Sequence, residues 1–172
     1  MNMSNRDVNK IIQIHDFIIE LDKAINPDDY LPGIHDIGVL EGLFEWRVSN
    51  DNSPIRNAAL ILDSITRRHA FNNGNKRTGF AVASILLESK GYRITANSKE
   101  RLDFLVSIAK YQMEVEDTEL WLTANSHHIG KLRFKIDLLF RKTRFGLYLQ
   151  VWNLFKICCP KPNDNGGNIN KK

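Results

Sequence analysis

The chain has 172 residues, of which 42% are hydrophobic and 26% charged, a balance typical of a globular protein with one main core. Its only cysteines, Cys158 and Cys159, are adjacent, which argues against a disulfide scaffold, and no apolar run is long enough to span a bilayer. The net charge of +4 is uneven: residues 1–130 carry 14 Lys/Arg and 18 Asp/Glu, whereas residues 131–172 carry 10 and 2. The basic charge therefore belongs to the C-terminal segment and does not indicate a nucleic-acid-binding body.

Apolar residues recur at helical spacing through most of the first 130 residues. Ser53 followed by Pro54 is a strong helix start signal, and Gly91 is a suitable helix end. No strand alternation is evident, so the sequence predicts an all-α fold, a compact bundle of about six helices over residues 1–130. The predicted helices are Val8–Ile25, Val39–Val48, Pro54–Arg68, a segment that resumes after Asn75 and ends near Gly91, Ser98–Met113 and Thr118–Asn125.

Residues 131–172 form a second predicted region, a basic C-terminal extension rich in aromatic residues. Its end, from Pro160, is polar and is predicted to be disordered. The basic and aromatic mixture is compatible with weak contact with a membrane, RNA, the ribosome or a partner helix, and an extra packing helix with a solvated basic side explains it equally well. The first ten residues contain no export signal, and we expect a cytoplasmic protein.

The segment His69–Arg77, HAFNNGNKR, lies between two predicted helices and combines residue types suited to phosphate chemistry. The start of a helix presents unpaired N–H groups and the positive end of its dipole. Gly74 allows close approach of the backbone to a ligand, and Lys76 and Arg77 add positive charge. His69 can take a proton from a hydroxyl near neutral pH. Any one of these residues alone is as well explained by a polar turn, and it is their joint occurrence that indicates a site.

HAFNNGNKR resembles the active-site motif of the Fic/Doc family in its death-on-curing (Doc) variant, in which Lys stands where AMP-transferring Fic proteins have Gly. The resemblance extends on both sides of the motif and covers about residues 10–127. The segments that carry it are IIQIHDFIIE, GIHDIGVLEGLF, TGFAVASILLESKGYRI and ELWLTANS.

The resemblance implies a transferase that moves part of a nucleoside triphosphate to a protein hydroxyl. His69 would be the general base, Asn75 and the Gly74 backbone would line an anion hole, and Lys76 and Arg77 would hold the triphosphate. ATP and Mg²⁺ would be the cofactors, with Asn73 as the metal ligand. The implied phosphate-binding set is Asn72, Asn73, Gly74, Asn75, Lys76 and Arg77.

The Doc resemblance further implies a toxin of a type II toxin–antitoxin system, which transfers the γ-phosphoryl group to elongation factor Tu. No [ST]xxxE[GN] inhibitory motif is present, which favours inhibition in trans by an antitoxin protein. Two positions depart from the family pattern: Asn73 stands where Asp or Glu is frequent, and His35 stands where Arg is expected.

Three other interpretations stay open. The first is AMP transfer, against which Lys76 argues. The second, motivated by Asn73 and His35, is a catalytically weakened nucleotide- or partner-binding member of the family. The third is an RNA- or membrane-associated protein that acts through its basic extension. Outside the motif, His15 is interpreted as a surface or packing histidine, and the tryptophans as core or interface anchors.

Overall fold

The computed structural model of the protein describes residues 3–24 and 27–129. Within these residues the chain forms six α-helices and one sheet of two short strands, which confirms the predicted all-α bundle. The helices are α1 (Met3–Lys23), α2 (Ile37–Gly42), α3 (Pro54–Arg68), α4 (Asn75–Ser89), α5 (Ser98–Ala109) and α6 (Val115–Ala124), and the strands are β1 (Tyr92–Ile94) and β2 (Ser126–His128).

The helical hairpin of α3 and α4 forms the centre of the bundle. The Ser53 hydroxyl accepts a hydrogen bond from the Arg56 N–H at 2.9 Å, and Pro54 occupies the first turn, as the start signal predicts. Nine consecutive residues of α3, Ala58–Thr66, are buried. Most of α4 is buried as well, because other elements pack around it. The two helices therefore form a rigid base for the loop that joins them.

The remaining helices surround this hairpin. The N-terminal helix α1 packs on α4, α6 packs on α3, and α5 contacts both central helices. The side chains of Asn97 and Glu100 form a reciprocal capping box at the start of α5. The loop between α3 and α4 consequently has α1 on one side and α5 on the other, and both contribute to the site described below.

The structure differs from the sequence prediction in several details. The first helix begins at Met3 rather than Val8, and α5 ends at Ala109 rather than Met113. The second helix begins at Ile37 rather than Val39, and from Leu43 to Arg47 it continues as a π-helix. The segment after Gly91, predicted as a link without strands, pairs antiparallel with β2 in the register Tyr92↔His128. Strands of three residues are too short to show alternation, which explains why the sequence gives no signal for them.

The tryptophans have different environments. Trp46 is 84% exposed, so its predicted core position is wrong, although a role at an interface is not tested. Trp121 is half-buried and stacks on Phe104, with ring centroids 3.7 Å apart. Trp152, the basic extension and its predicted disordered end lie outside the described residues. Among the described helices, none combines the length and hydropathy needed to cross a membrane.

The crossing of α3 and α4 gives a stability prediction. A Cβ atom at Gly79 would lie 2.9 Å from the Thr66 Oγ1 and 3.3 Å from the Leu62 Cδ1 atom. We expect Gly79→Ala to lower the free energy of unfolding by about 1–3 kcal/mol in urea titrations, because the helices must separate. The control is Gly42→Ala, whose Cβ would meet only the Trp46 Cδ1 atom at 3.8 Å. This control should raise the free energy by up to about 1 kcal/mol. Equal changes in the free energy of unfolding in the two variants would contradict the close packing of α3 against α4 at Gly79.

Candidate active site

The loop between α3 and α4 begins and ends with a residue in the left-handed backbone region. His69 closes α3 with φ 52° and ψ 56°, and Gly74 precedes α4 with φ 72°. Glycine adopts this region without cost, whereas for histidine it is strained. Left-handed non-glycine residues are concentrated at functional sites. A left-handed residue also commonly ends a helix, as Tyr111 does after α5, so the conformation of His69 defines where the chain leaves α3 and enters the loop.

The side chain of Asn75 holds the middle of the loop. Its Oδ1 accepts a hydrogen bond from the Phe71 N–H at 2.9 Å, and its Nδ2 donates to the Phe71 carbonyl at 2.7 Å. Asn75 is 9% exposed and Phe71 is 1% exposed, so this pair of bonds is shielded from water. The amide of Asn75 is thus directed to the loop backbone, and any contribution to an anion hole comes from its N–H group in the first turn of α4.

The segment Pro32–Asp36 runs along the loop and pairs with it. Ile34 and Phe71 form an antiparallel bridge, and the N–H groups of His35 and Asp36 both donate to the Ala70 carbonyl. The Asn72 side chain donates to the Pro32 carbonyl at 3.0 Å. His35, which departs from the family pattern, therefore supports the loop through its backbone, and its side chain is exposed.

His15, on α1, packs beneath the loop. Its ring stacks on Phe71 with a centroid distance of 3.7 Å and an interplanar angle of 8°, and its Nδ1 lies 3.2 Å from the Thr78 Oγ1. A Cβ atom at Gly74 would lie 2.9 Å from the Ile19 Cδ1 atom, so only glycine allows α1 to pack this closely. Of the two interpretations from sequence, the packing histidine is confirmed, since His15 is 1% exposed.

Arg77 forms a bidentate ion pair with Asp22 of α1. The Nη1–Oδ1 and Nη2–Oδ2 distances are 2.6 and 2.8 Å. Asp22 is 3% exposed, so the two charges neutralise each other in a largely dry setting. By contrast, the side chain of Lys76 is exposed. Within the segment His69–Arg77, the positive charge that faces solvent therefore comes from Lys76 and the N-terminal end of α4.

The predicted site residues are brought together around a cavity of about 400 Å³. No side chain caps the start of α4, which leaves its first N–H groups available to a ligand. A cavity of this size is in the range of small-molecule sites. Its lining comprises Thr66, His69, Asn72, Asn73, Gly74, Asn75, Lys76, Arg77, Leu102, Leu105 and Ala109.

The lining does not fit a Mg²⁺ ion held by the protein itself. Mg²⁺ sites in proteins commonly use one or two carboxylates together with substrate phosphates. The cavity lining contains no carboxylate, and the described residues contain no cluster of three or more potential metal ligands. Asn73 offers one amide oxygen, which also accepts the Gly74 N–H at 2.6 Å. Any Mg²⁺ would therefore enter as part of a nucleotide complex, most of whose ligands are phosphate and water oxygens.

The comparison with protein families supports the resemblance found in the sequence. The model of the Fic/DOC family matches residues 6–87, which include α1, the loop and nearly all of α4. The match supports the Fic/DOC family for this chain. Fic/DOC proteins are typically nucleotidyl or phosphoryl transferases that use a nucleoside triphosphate with Mg²⁺. A search of curated proteins finds no match.

The sequence patterns did not indicate which residues of other helices reach this loop. Asp22 lies seven residues after His15, two turns along the same face of α1, and this spacing was a readable signal. The contributions of Thr66, Leu102, Leu105 and Ala109 had no comparable signal, because their helical spacing indicates only that they face the interior.

The environment of His15 gives a pH prediction. Burial, reinforced by the positive charge of Arg77, lowers the pKa of His15 from 6.5 to about 4. Between these values the unfolded chain binds the proton and the folded chain does not, so the free energy of unfolding falls as the pH is lowered through this window. We expect His15→Phe, which retains a ring against Phe71, to reduce this fall in urea titrations between pH 7 and pH 5.

The control for this prediction is His127→Gln, since His127 is exposed on β2. The control should retain the pH dependence of the wild-type protein. An unchanged slope in His15→Phe would show that protonation of His15 is not coupled to unfolding.

Proposed function

We propose that this protein is a Doc-type toxin that transfers the γ-phosphoryl group of ATP to a hydroxyl of elongation factor Tu. The observation that carries the proposal is the position of His69. This residue is exposed, has a left-handed backbone conformation, and lines the same cavity as the uncapped start of α4. The arrangement provides a base for an acceptor hydroxyl beside a site for phosphate.

The reaction balances with the groups present. The acceptor oxygen attacks the γ-phosphorus, a new O–P bond forms, and the bond between this phosphorus and the β–γ bridging oxygen breaks to release ADP. The imidazole of His69 accepts the proton of the hydroxyl. Lys76 and the N–H groups of α4 neutralise charge on the phosphate oxygens, and most of the rate acceleration comes from positioning and electrostatics.

The Asp22–Arg77 pair limits the part that Arg77 plays. An arginine already held by two hydrogen bonds to a buried carboxylate adds little net charge to the site, so Lys76 carries most of the side-chain charge toward the triphosphate. Arg77 acts mainly to fix the first turn of α4. With Arg77 in a structural role, Lys76 is the side chain of the motif that contacts the phosphates, and lysine at this position is typical of the Doc variant.

A second candidate function is a catalytically weakened member that binds nucleotide or a partner. It is favoured by the cavity lining, which lacks a carboxylate, and by the neutralised Arg77. A third, AMP transfer, shares the same base and phosphate site, but the lysine at position 76 argues against it. The toxin role, an antitoxin bound in trans and a cytoplasmic location are part of the leading proposal.

Labelled ATP distinguishes these candidates. We expect label from the γ-phosphate, and none from the α-phosphate, to appear on elongation factor Tu when the full chain is incubated with the factor, ATP and Mg²⁺. Removal of the base in His69→Ala should reduce transfer by at least about 100-fold. Label from the α-phosphate would identify AMP transfer. Nucleotide binding without label from either position would identify the weakened member and overturn the kinase proposal.

The amide at position 73 gives a separate prediction on metal use. Asn73→Asp retains an oxygen that can accept the Gly74 N–H and adds a carboxylate at the cavity. We expect the Mg²⁺ concentration for half-maximal transfer to fall on the order of 10-fold, since a carboxylate binds this ion more strongly than an amide. The control Asn50→Asp makes the same charge change at an exposed residue outside the cavity lining. An equal response in both variants would contradict a role for position 73 in metal binding.

A further inference from the structure

A second cavity, of about 550 Å³ and here called the α1–α4 groove, shares no lining residue with the cavity at the loop. Its most buried lining residues come from three helices: Ile11 of α1, Ile61 of α3 and Val82 of α4. Six further apolar residues line it and are only half-buried: Ile14, Phe44, Val48, Pro54, Ile85 and Leu86. A contiguous apolar surface of this kind commonly marks a place where another segment or molecule binds.

Several polar side chains around the α1–α4 groove are already engaged. Asp7 and Lys10 form an ion pair with a distance of 2.7 Å between the Oδ1 and Nζ atoms. The Asn57 amide donates a hydrogen bond to the Ser49 carbonyl, also at 2.7 Å. These groups have little left to offer a ligand, and most of the groove's other lining side chains are apolar. The groove therefore suits apolar side chains better than a charged or strongly polar ligand.

The described chain ends beside this groove. Ile129 is 5% exposed, and its N–H donates to the Gly91 carbonyl at 2.7 Å. Gly91 follows Ser89 and Lys90, which line the groove at the C-terminal end of α4. Residues 130–172 therefore start at one end of the groove. A segment joined to its binding site by so short a link has an effective concentration on the order of millimolar, which favours it over a separate partner.

The beginning of the basic C-terminal extension has an apolar pattern that matches the groove. Leu132, Ile136, Leu139 and Phe140 recur at helical spacing, so a helix over these residues would have one apolar face. The arginines of this stretch fall outside that face: Arg133, Arg141 and Arg144. Such a helix could bury its apolar face in the groove and keep its positive charges in water.

The dimensions of the two surfaces agree. The α4 side of the groove extends from Val82 to Ser89, about 11 Å at the rise of an α-helix, and a helical face from Leu132 to Phe140 would extend about 12 Å. Gly130 and Lys131 provide a link of two residues, in which glycine permits a sharp turn. Since this link starts at the C-terminal end of α4, the helix would run along α4 in the opposite direction.

We propose that residues 132–140 pack as a helix into the α1–α4 groove of their own chain. The overall charges favour the contact, since residues 1–130 have four more acidic than basic residues and residues 131–172 have eight more basic than acidic residues. The docked helix holds α1 against α4 at Ile14, the neighbour of His15, which stacks beneath the loop. This contact is independent of the proposed function.

Disulfide cross-linking in the full chain tests the position of the extension. The native cysteines are replaced (Cys158→Ser and Cys159→Ser), and Ile85→Cys supplies a thiol at the groove. The second thiol is placed either on the apolar face or outside it: Ile136→Cys or Phe140→Cys, against Asp137→Cys or Arg141→Cys. We expect an intrachain disulfide to form at least about 10-fold faster from the apolar face, because only docking orients that face toward the groove.

Every other result of the cross-linking would overturn the inference. Equal rates at the four positions would mean that the short link alone brings the thiols together. A disulfide between two chains would identify a second copy as the occupant of the groove. Absence of any disulfide would leave the groove without the extension, and sedimentation of the same full chain with phosphatidylserine vesicles would then assign the extension to a lipid surface.

Two adjacent leucines provide a matched test by stability. Leu139 belongs to the apolar face, whereas Leu138 lies outside it. We expect Leu139→Asn to lower the melting temperature of the full chain by at least about 3 °C and Leu138→Asn to change it by less than about 1 °C. Ile85→Ala combined with Leu139→Asn should lower it by less than the sum of the single effects, because both remove the same contact. Equal effects of the two leucine variants, or full additivity with Ile85→Ala, would refute the docking.

Discussion

The reciprocal hydrogen bonds between the Asn75 amide and the Phe71 backbone determine the conformation of the loop at the candidate active site. They join the loop to the first residue of α4, and they are effective because Phe71 is buried and water does not compete for these groups. With Phe71 fixed, the chain enters the loop at a strained His69 and leaves it at Gly74. The position of the proposed base relative to the helix start is thus a consequence of this one side chain.

The helix α1 supports that arrangement from beneath. His15 stacks on Phe71 and approaches Thr78, while Asp22 binds Arg77, so that two side chains on one face of α1 fix both the loop and the first turn of α4. This support changes the electrostatics of the site. The carboxylate of Asp22 forms an ion pair with Arg77 and so offsets its charge at the site. The positive charge of Arg77 also helps to lower the pKa of His15, which keeps this histidine neutral. At the proposed phosphate site the positive charge comes from Lys76 and from the dipole of α4, which together give a modest positive field at one end of the cavity.

The sequence alone determined the helical bundle, the start of α3 at Ser53 and Pro54, and the membership of His69–Arg77 in one candidate site, because periodicity, caps and a dense local motif are all properties of neighbouring residues. It could not determine that Arg77 is neutralised by Asp22, that Asn75 is turned to the loop backbone, or that α5 forms the opposite wall. Each of these depends on the close packing of helices distant in sequence, where burial selects among hydrogen-bond partners that are equally available to the unfolded chain. Only the tertiary structure brings such partners within bonding distance.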